Sequence, residues 1–252
     1  MPHPDLTGRV VIVTGAGSGI GRAAAVAFAR AGANVLGVGR RRTALQETAA
    51  EHPNVATFPA DLRADGAGGT IVRAATERWD RVDVVVNNAG VTAAMPLADT
   101  DAARVSDLFA LNVVAPSLLA TAALPYLRTT HGVIVNVSST YGHRPMPGAA
   151  HYAASKAALE QLTRSWAVEL AADGVRVNAV APGPTESEAL TAAGLSEGVV
   201  ESIKAEEARR IPLGRRGEPD EVASWIVRLA DPTATWLTGQ VLTVDGGLEL
   251  VG

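Results

Sequence analysis

Arg9-Val10-Val11-Ile12-Val13-Thr14-Gly15-Ala16-Gly17-Ser18-Gly19-Ile20-Gly21 is the stretch on which the fold turns. Its first six residues are a β-branched run with no polar alternation, the pattern of a strand buried on both faces of a parallel sheet. The glycines that follow let the backbone turn tightly, and the alanine-rich residues 22–31 read as a helix. A strand, a glycine turn and a helix in that order bring free N–H groups and the positive end of a helix together, which suits a pyrophosphate. The spacing Gly15-x-x-x-Gly19-x-Gly21 differs by one residue from the commonest Gly-x-Gly-x-x-Gly form. A glycine-rich turn without a ligand is the alternative, and the strand before and helix after weigh against it.

Working outward, similar short apolar runs occupy residues 34–38, 55–59, 83–87, 133–138, 175–180 and 241–244. The stretches between them carry helical periodicity, so the chain reads as βαβ units around a parallel sheet, an α/β fold. The clearest helix begins near His151, where Leu159, Leu162, Trp166 and Leu170 recur at intervals of three and four, and Asp173-Gly174 ends it. No internal repeat or long linker divides the chain, so residues 1–252 read as a single domain. Residues 182–220 are the most polar and least patterned, and about 184–215 is expected to form a lid over the site.

With 252 residues and 47% hydrophobic content, the chain has the size and composition of one large globular domain. A net charge of −4 argues against a nucleic-acid or anionic-membrane binder. With no cysteine there is no disulfide framework, thiolate metal site or thiol nucleophile. The first residues lack the form of a targeting segment, and no run approaches the roughly 18 apolar residues of a spanning helix. A soluble, cytoplasmic protein is expected. The basic residues are lopsided: only Lys156 and Lys204 are lysines, the rest of the 22 being arginine.

Taken with Asn87-Asn88-Ala89-Gly90, Asn112, Ser139, Tyr152-Ala-Ala-Ser-Lys156, Pro182-Gly183 and Thr243-Val-Asp245-Gly-Gly247, the glycine turn resembles the short-chain dehydrogenase/reductase family over nearly the whole chain. The resemblance implies a doubly wound seven-stranded Rossmann sheet in a three-layer αβα arrangement, hydride transfer with a nicotinamide cofactor, and a homotetramer. The tetramer would bury the long helices of the fourth and sixth crossovers and the apolar Leu248 to Val251 tail.

Reducing a ketone requires a hydride and a proton. A tyrosine is a poor acid-base group at neutral pH unless a cation stabilises its phenolate. Tyr152 and Lys156 lie four apart on an expected helix, one turn from each other on one face. With three tyrosines and two lysines in the chain, such a pair arises by chance about 0.02 times. Ser138 and Ser139 both end the fifth strand, where a ligand is presented to α/β sheets. The family's serine lies 13 residues before its tyrosine, which selects Ser139. The resemblance also gives Lys156 a hydrogen bond to the nicotinamide ribose, and Asn112 a water that relays protons.

The five histidines show no metal-ligand spacing, so no metal is expected. Thr140, Tyr141, His143, Arg144, Met146 and His151 are expected to line the substrate pocket, and Trp79, Trp166, Trp225 and Trp236 to be core or interface residues.

For the cofactor, residues 38–43 read Val-Gly-Arg-Arg-Arg-Thr. An acid at the end of the second strand would accept from the adenosine ribose of NAD, whereas a cation suits the 2′-phosphate of NADP. The acid's place is Gly39, and Arg40 follows at once, which favours NADP(H) with NAD as the alternative. Ser18 stands where NADP-using members often carry a second basic residue. The resemblance places Asp61 and Leu62 at the adenine, Asn88, Ala89 and Gly90 along the cofactor, and Pro182, Gly183, Thr185 and Ser187 at the carboxamide. The expected activity is ketone reduction or secondary-alcohol oxidation. The alternatives are 3-oxoacyl-carrier-protein reduction and, from another class, a non-catalytic NAD(P)-binding regulator.

Overall fold

The computed structural model describes residues 4–187 and 196–251. Seven parallel strands form one sheet in the order β3-β2-β1-β4-β5-β6-β7: β1 Val10–Thr14, β2 Asn34–Gly39, β3 Val55–Pro59, β4 Val84–Asn87, β5 Val133–Val137, β6 Arg176–Pro182 and β7 Val241–Val244. The expected strands are all present. The sixth runs two residues further than its apolar run, because Pro182 pairs with Val244 and the Gly183 N–H donates to Val244 O at 3.0 Å. β1 is flanked by β2 on one side and β4 on the other. Strand order reverses there, which opens a crevice at the carboxyl edge.

Helices cover both faces: α1 Gly19–Arg30, α2 Arg42–Ala50, α3 Ala67–Trp79, α4 Ala102–Phe109, α5 Ala115–Thr130, α6 Ala150–Glu169, α7 Glu197–Arg210 and α8 Pro219–Leu229. Val11 and Val13 of β1 pack with Phe28 of α1 and Ile226 of α8, whereas Val10 and Ile12 pack with Ile71 of α3 and Leu119 and Leu127 of α5. Successive side chains enter opposite apolar layers, which is why the strand shows no polar alternation.

Some local expectations change. α6 ends at Glu169, and a 3₁₀ turn at Ala171–Asp173 intervenes before Gly174, at φ 72°, closes the connection. In the expected stripe Leu159 and Leu170 are buried, while Leu162 and Trp166 are only half-buried. None of the four tryptophans is fully buried, and Trp236 is fully exposed. α4, a π-helical turn at Ala110–Val114 and α5 form one continuous 29-residue helix, Ala102–Thr130, whose most apolar window reaches a mean hydropathy of 1.7. The expectation that no segment has spanning length and composition is therefore corrected. Within this fold one side of that helix, with Leu119, Ala123 and Leu127, is buried against the sheet.

Candidate active site

A cleft of about 440 Å³ follows the carboxyl edge of the sheet. Gly15, Ser18, Gly19, Ile20 and Gly21 line it from the turn after β1, Arg40 from the end of β2, and Asp61 and Leu62 from beyond β3. Asn88, Ala89 and Gly90 after β4, then Ser139, Tyr152 and Lys156, form the middle, and Pro182, Gly183, Thr185 and Ser187 the far wall.

The turn is shaped so that only glycine fits at two places. A Cβ on Gly21 would lie 2.2 Å from the Gly15 carbonyl oxygen. Gly15 has φ 71°, and a Cβ there would lie 2.7 Å from Asn88 Nδ2. Thr14 ties this turn to the end of β4: its hydroxyl accepts from the Asn88 and Ala89 N–H groups at 3.0 Å, and Asn88 Nδ2 donates to Thr14 O at 2.8 Å. The Asn88 side chain thus braces the glycine turn. No side chain caps the N-terminus of α1. A bare, glycine-cradled helix start fits a dinucleotide pyrophosphate.

At the other end of the cleft, Asn112 lies inside the π turn between α4 and α5 and is buried. Its Oδ1 accepts from Val91 N at 2.9 Å, while Nδ2 donates to Val91 O at 2.9 Å and to Ser155 Oγ at 3.0 Å. It therefore stands behind the cleft wall and joins the loop after β4 to α6. A π turn adds a residue to the helical circuit and is a common device for aiming a polar side chain. Ser155 lies immediately before Lys156, whose Nζ donates to Val137 O at 2.9 Å.

Burial pushes the Lys156 ammonium down to about 8. Burial also pushes the Tyr152 phenol up, and a hydrogen bond with the Ser139 side chain opposes this. Lys156 Nζ lies 5.9 Å from the Tyr152 ring centroid. With the ammonium turned to a carbonyl, desolvation dominates at the phenol.

Ser138 and Ser139 both touch the cleft, but their hydroxyls part company. Ser138 Oγ donates to Glu160 Oε1 at 2.8 Å, whereas Ser139 Oγ accepts from Tyr141 N at 3.3 Å and bonds with Tyr152. Asp61, near Arg40, is held at about 2, chiefly by the Arg63 guanidinium, which also pairs with Asp107.

Thr140, Tyr141, His143, Arg144, Met146 and His151 do not line the cleft. Thr140 is buried and donates to Asp245 at 3.2 Å; His143 is engaged by Glu160 and Glu249; Arg144 bonds the Leu248 carbonyl. The loop folds back on the C-terminal turn, so Thr140, His143 and Arg144 serve contacts that local sequence does not show. Val91, Thr92 and Leu111 line the cleft instead. Of these only Val91 and Thr92 had a signal, their place directly after Asn88-Ala89-Gly90. Of the expected lid, residues 188–195 lie outside the described residues; Thr185 bridges to Gly217, and α7 follows. No metal cluster occurs among the described residues.

Residues 15–249 match the family model described as Enoyl-(Acyl carrier protein) reductase. The chain is similar to a short-chain dehydrogenase/reductase of unknown function from Caenorhabditis elegans, solved with cofactor. Their TM-score is 0.92 at 34% identity, covering 99% of this chain and 98% of that one. The chain belongs to the short-chain dehydrogenase/reductase family. Among curated relatives, the 3-oxoacyl-[acyl-carrier-protein] reductase FabG of Thermotoga maritima is 36% identical, covering 97% of this chain and 99% of that protein. A meso-2,3-butanediol dehydrogenase of Serratia marcescens is 34% identical, covering 95% and 94%. This member of the short-chain dehydrogenase/reductase family is therefore an oxidoreductase with an NAD(P) site.

Proposed function

We propose that the protein interconverts a ketone and a secondary alcohol with NADP(H). The observation that carries this reading is the meeting of Ser139, Tyr152 and Lys156 at the cleft end, braced by Asn112. When bound, the nicotinamide supplies or accepts the hydride. Ser139 donates to the carbonyl oxygen, and Tyr152 Oη hands that oxygen its proton, so the charge developing there is neutralised as it forms. Lys156 holds the ribose and replenishes the phenol's proton, and its pKa near 8 leaves that proton transferable close to neutral pH. Asn112 keeps the loop after β4 and the helix before Lys156 in register. Arg40 and Gly39 line the cleft at the end of β2, and a cation there in place of an acid supports a 2′-phosphate over a free ribose hydroxyl.

A panel of carbonyl and alcohol substrates run with NADPH, NADH and their oxidised forms tests this. Faster turnover with NADPH is expected; equal or better turnover with NADH overturns the cofactor assignment. The curated relative that reduces 3-oxoacyl carriers favours a second reading, an acyl-thioester as substrate. Turnover of a 3-oxoacyl thioester but of no free ketone would select it. Exposed Val114 and Leu118 on one side of the long helix, and Leu250 at the C-terminus, support a homotetrameric reading, which sedimentation would test.

A further inference from the structure

The loop carrying Ser139 is held from behind by an arrangement that the proposed chemistry does not use. Glu160 lies on α6 one turn beyond Lys156, with its side chain 2% exposed. Its Oε1 accepts from Ser138 Oγ at 2.8 Å and faces His143 Nδ1 at 3.0 Å. On the other side of the imidazole, Nε2 faces Glu249 Oε2 at 2.7 Å. A neutral imidazole has only one N–H and cannot donate to two carboxylates. Both contacts are satisfied together when the ring is the imidazolium.

The surroundings are built around this bridge. Gly142 closes the 3₁₀ turn Thr140–Gly142 that Ser139 caps, and a Cβ there would lie 2.3 Å from Glu160 Oε1. Only glycine lets the loop settle on that carboxylate. Glu249 is fixed in turn by Thr243 Oγ1 at 2.7 Å, and its N–H donates to Asp245 Oδ2 at 2.7 Å. Asp245 Oδ2 also accepts from Thr140 Oγ1 at 3.2 Å, and Arg144 reaches the Leu248 carbonyl. The turn that orients Ser139 is thus sewn to α6 on one side and to the last turn of the chain on the other.

We propose that His143, as an imidazolium bridging Glu160 and Glu249, is a positioning residue that makes the placement of Ser139 against Tyr152 depend on the C-terminal turn. The proposal rests on the reading of Ser139 and Tyr152 given above. The charged and titratable groups about the ring are Glu160 with Arg164 from α6, Asp245 and Glu249 from the C-terminal turn, and Tyr141 and Arg144 from its own loop; Arg164 NH2 stands 3.5 Å from Glu160 Oε2. Burial pulls the imidazolium down, but its hydrogen bonds to Glu160 and Glu249 outweigh it and the pKa stands above its ordinary value. The bridge is therefore complete on the acid side and is lost as pH rises through that value.

The test follows the His143 ring by NMR titration and kcat against pH in the full-length protein, for the wild type, Glu249→Gln and His143→Gln. In the wild type, His143 titrates above 6.5 and kcat carries an inflection at the same pH. Glu249→Gln removes one anion, and both the ring titration and the kcat inflection move down together by about one pH unit, with KM for the cofactor unchanged. His143→Gln has no such inflection and a lower kcat at every pH. An inflection that stays in place in Glu249→Gln, or a wild-type His143 titrating at or below 6.5, overturns the proposal. A purely structural contact would lower the unfolding temperature without moving the inflection, and that outcome also overturns it. Tyr152→Phe, assayed at one pH, separates the two readings: retained turnover would remove the acid-base assignment, while the ring titration would still report on the bridge.

Discussion

Two buried charges at opposite edges of the sheet, Asp83 and Lys156, are held in different ways. At the amino edge, Asp83 is 2% exposed and saturated by Arg9 NH1 at 2.7 Å, Val10 N at 2.9 Å, and Arg81 Nε and NH2 at 2.8 and 2.6 Å. Arg176, also buried there, donates to the carbonyls of Leu229, Leu237 and Asp231. At the carboxyl edge Lys156 is 5% exposed, and the one hydrogen bond of its ammonium among the described residues goes to Val137 O. The helix start nearby is uncapped and built on glycine. A charge whose partners are all protein groups stabilises the fold; a charge held with donors in reserve is suited to a ligand and a proton transfer. The same strands thus end in a structural lock on one side and a reactive cleft on the other.

That contrast predicts that substitutions at the two edges separate activity from stability. The largest effect belongs to Tyr152→Phe, which removes the proton donor and is expected to lower kcat about 10³-fold with the unfolding midpoint unchanged; steady-state kinetics beside denaturant unfolding checks both. Asp83→Ala is expected to do the reverse. Arg9 and Arg81 are exposed enough to rehydrate, but leaving the buried Val10 N–H without its carboxylate acceptor costs roughly 2 kcal/mol, while kcat per folded molecule stays at the wild-type value.

Acid unfolding sharpens the same point. Burial would raise the Asp83 carboxyl, but the hydrogen bonds from Arg81, Arg9 and Val10 hold it below its ordinary value. Its contribution is therefore present above the ordinary carboxylate range and lost as pH falls through the lower folded value. Asp83→Asn should flatten the acid limb of stability against pH, and an unchanged limb would break the comparison.

Lys156→Arg keeps the charge but changes its shape. We expect cofactor Kd to rise about thirtyfold, the loss of about 2 kcal/mol in a charged hydrogen bond, together with a drop in rate; fluorescence titration reads the first. The smallest effect expected is that of Arg40→Ser, which should reduce the NADPH-over-NADH preference in kcat/KM about tenfold and leave the unfolding midpoint in place.

Local patterns carried most of the fold. The apolar runs placed all seven strands, most plainly β1, β4, β5 and β6, which are buried throughout, and Tyr152 and Lys156 were readable as a pair because they are one helical turn apart. The choice between Ser138 and Ser139 was not readable from the strand itself. It depends on which hydroxyl meets Glu160, 22 residues beyond Ser138. That His143 meets Glu160, 17 residues away, and Glu249, 106 residues away, is not visible from its neighbours in the sequence. Asn112 gave no sign of the π turn that aims it, since such a turn is set by what the helix must reach on both sides.

From the sequence alone came the parallel α/β architecture, the glycine-cradled helix start and the tyrosine one turn before a scarce lysine. These follow from backbone geometry and from periodicities that span a few residues. Only the tertiary structure decided that Ser138 turns away to Glu160, that Lys156 turns to a carbonyl, and that a histidine bridges two glutamates behind the site. Those outcomes depend on which distant groups share one desolvated place, and a buried charge or hydroxyl takes its role from the partners it finds there.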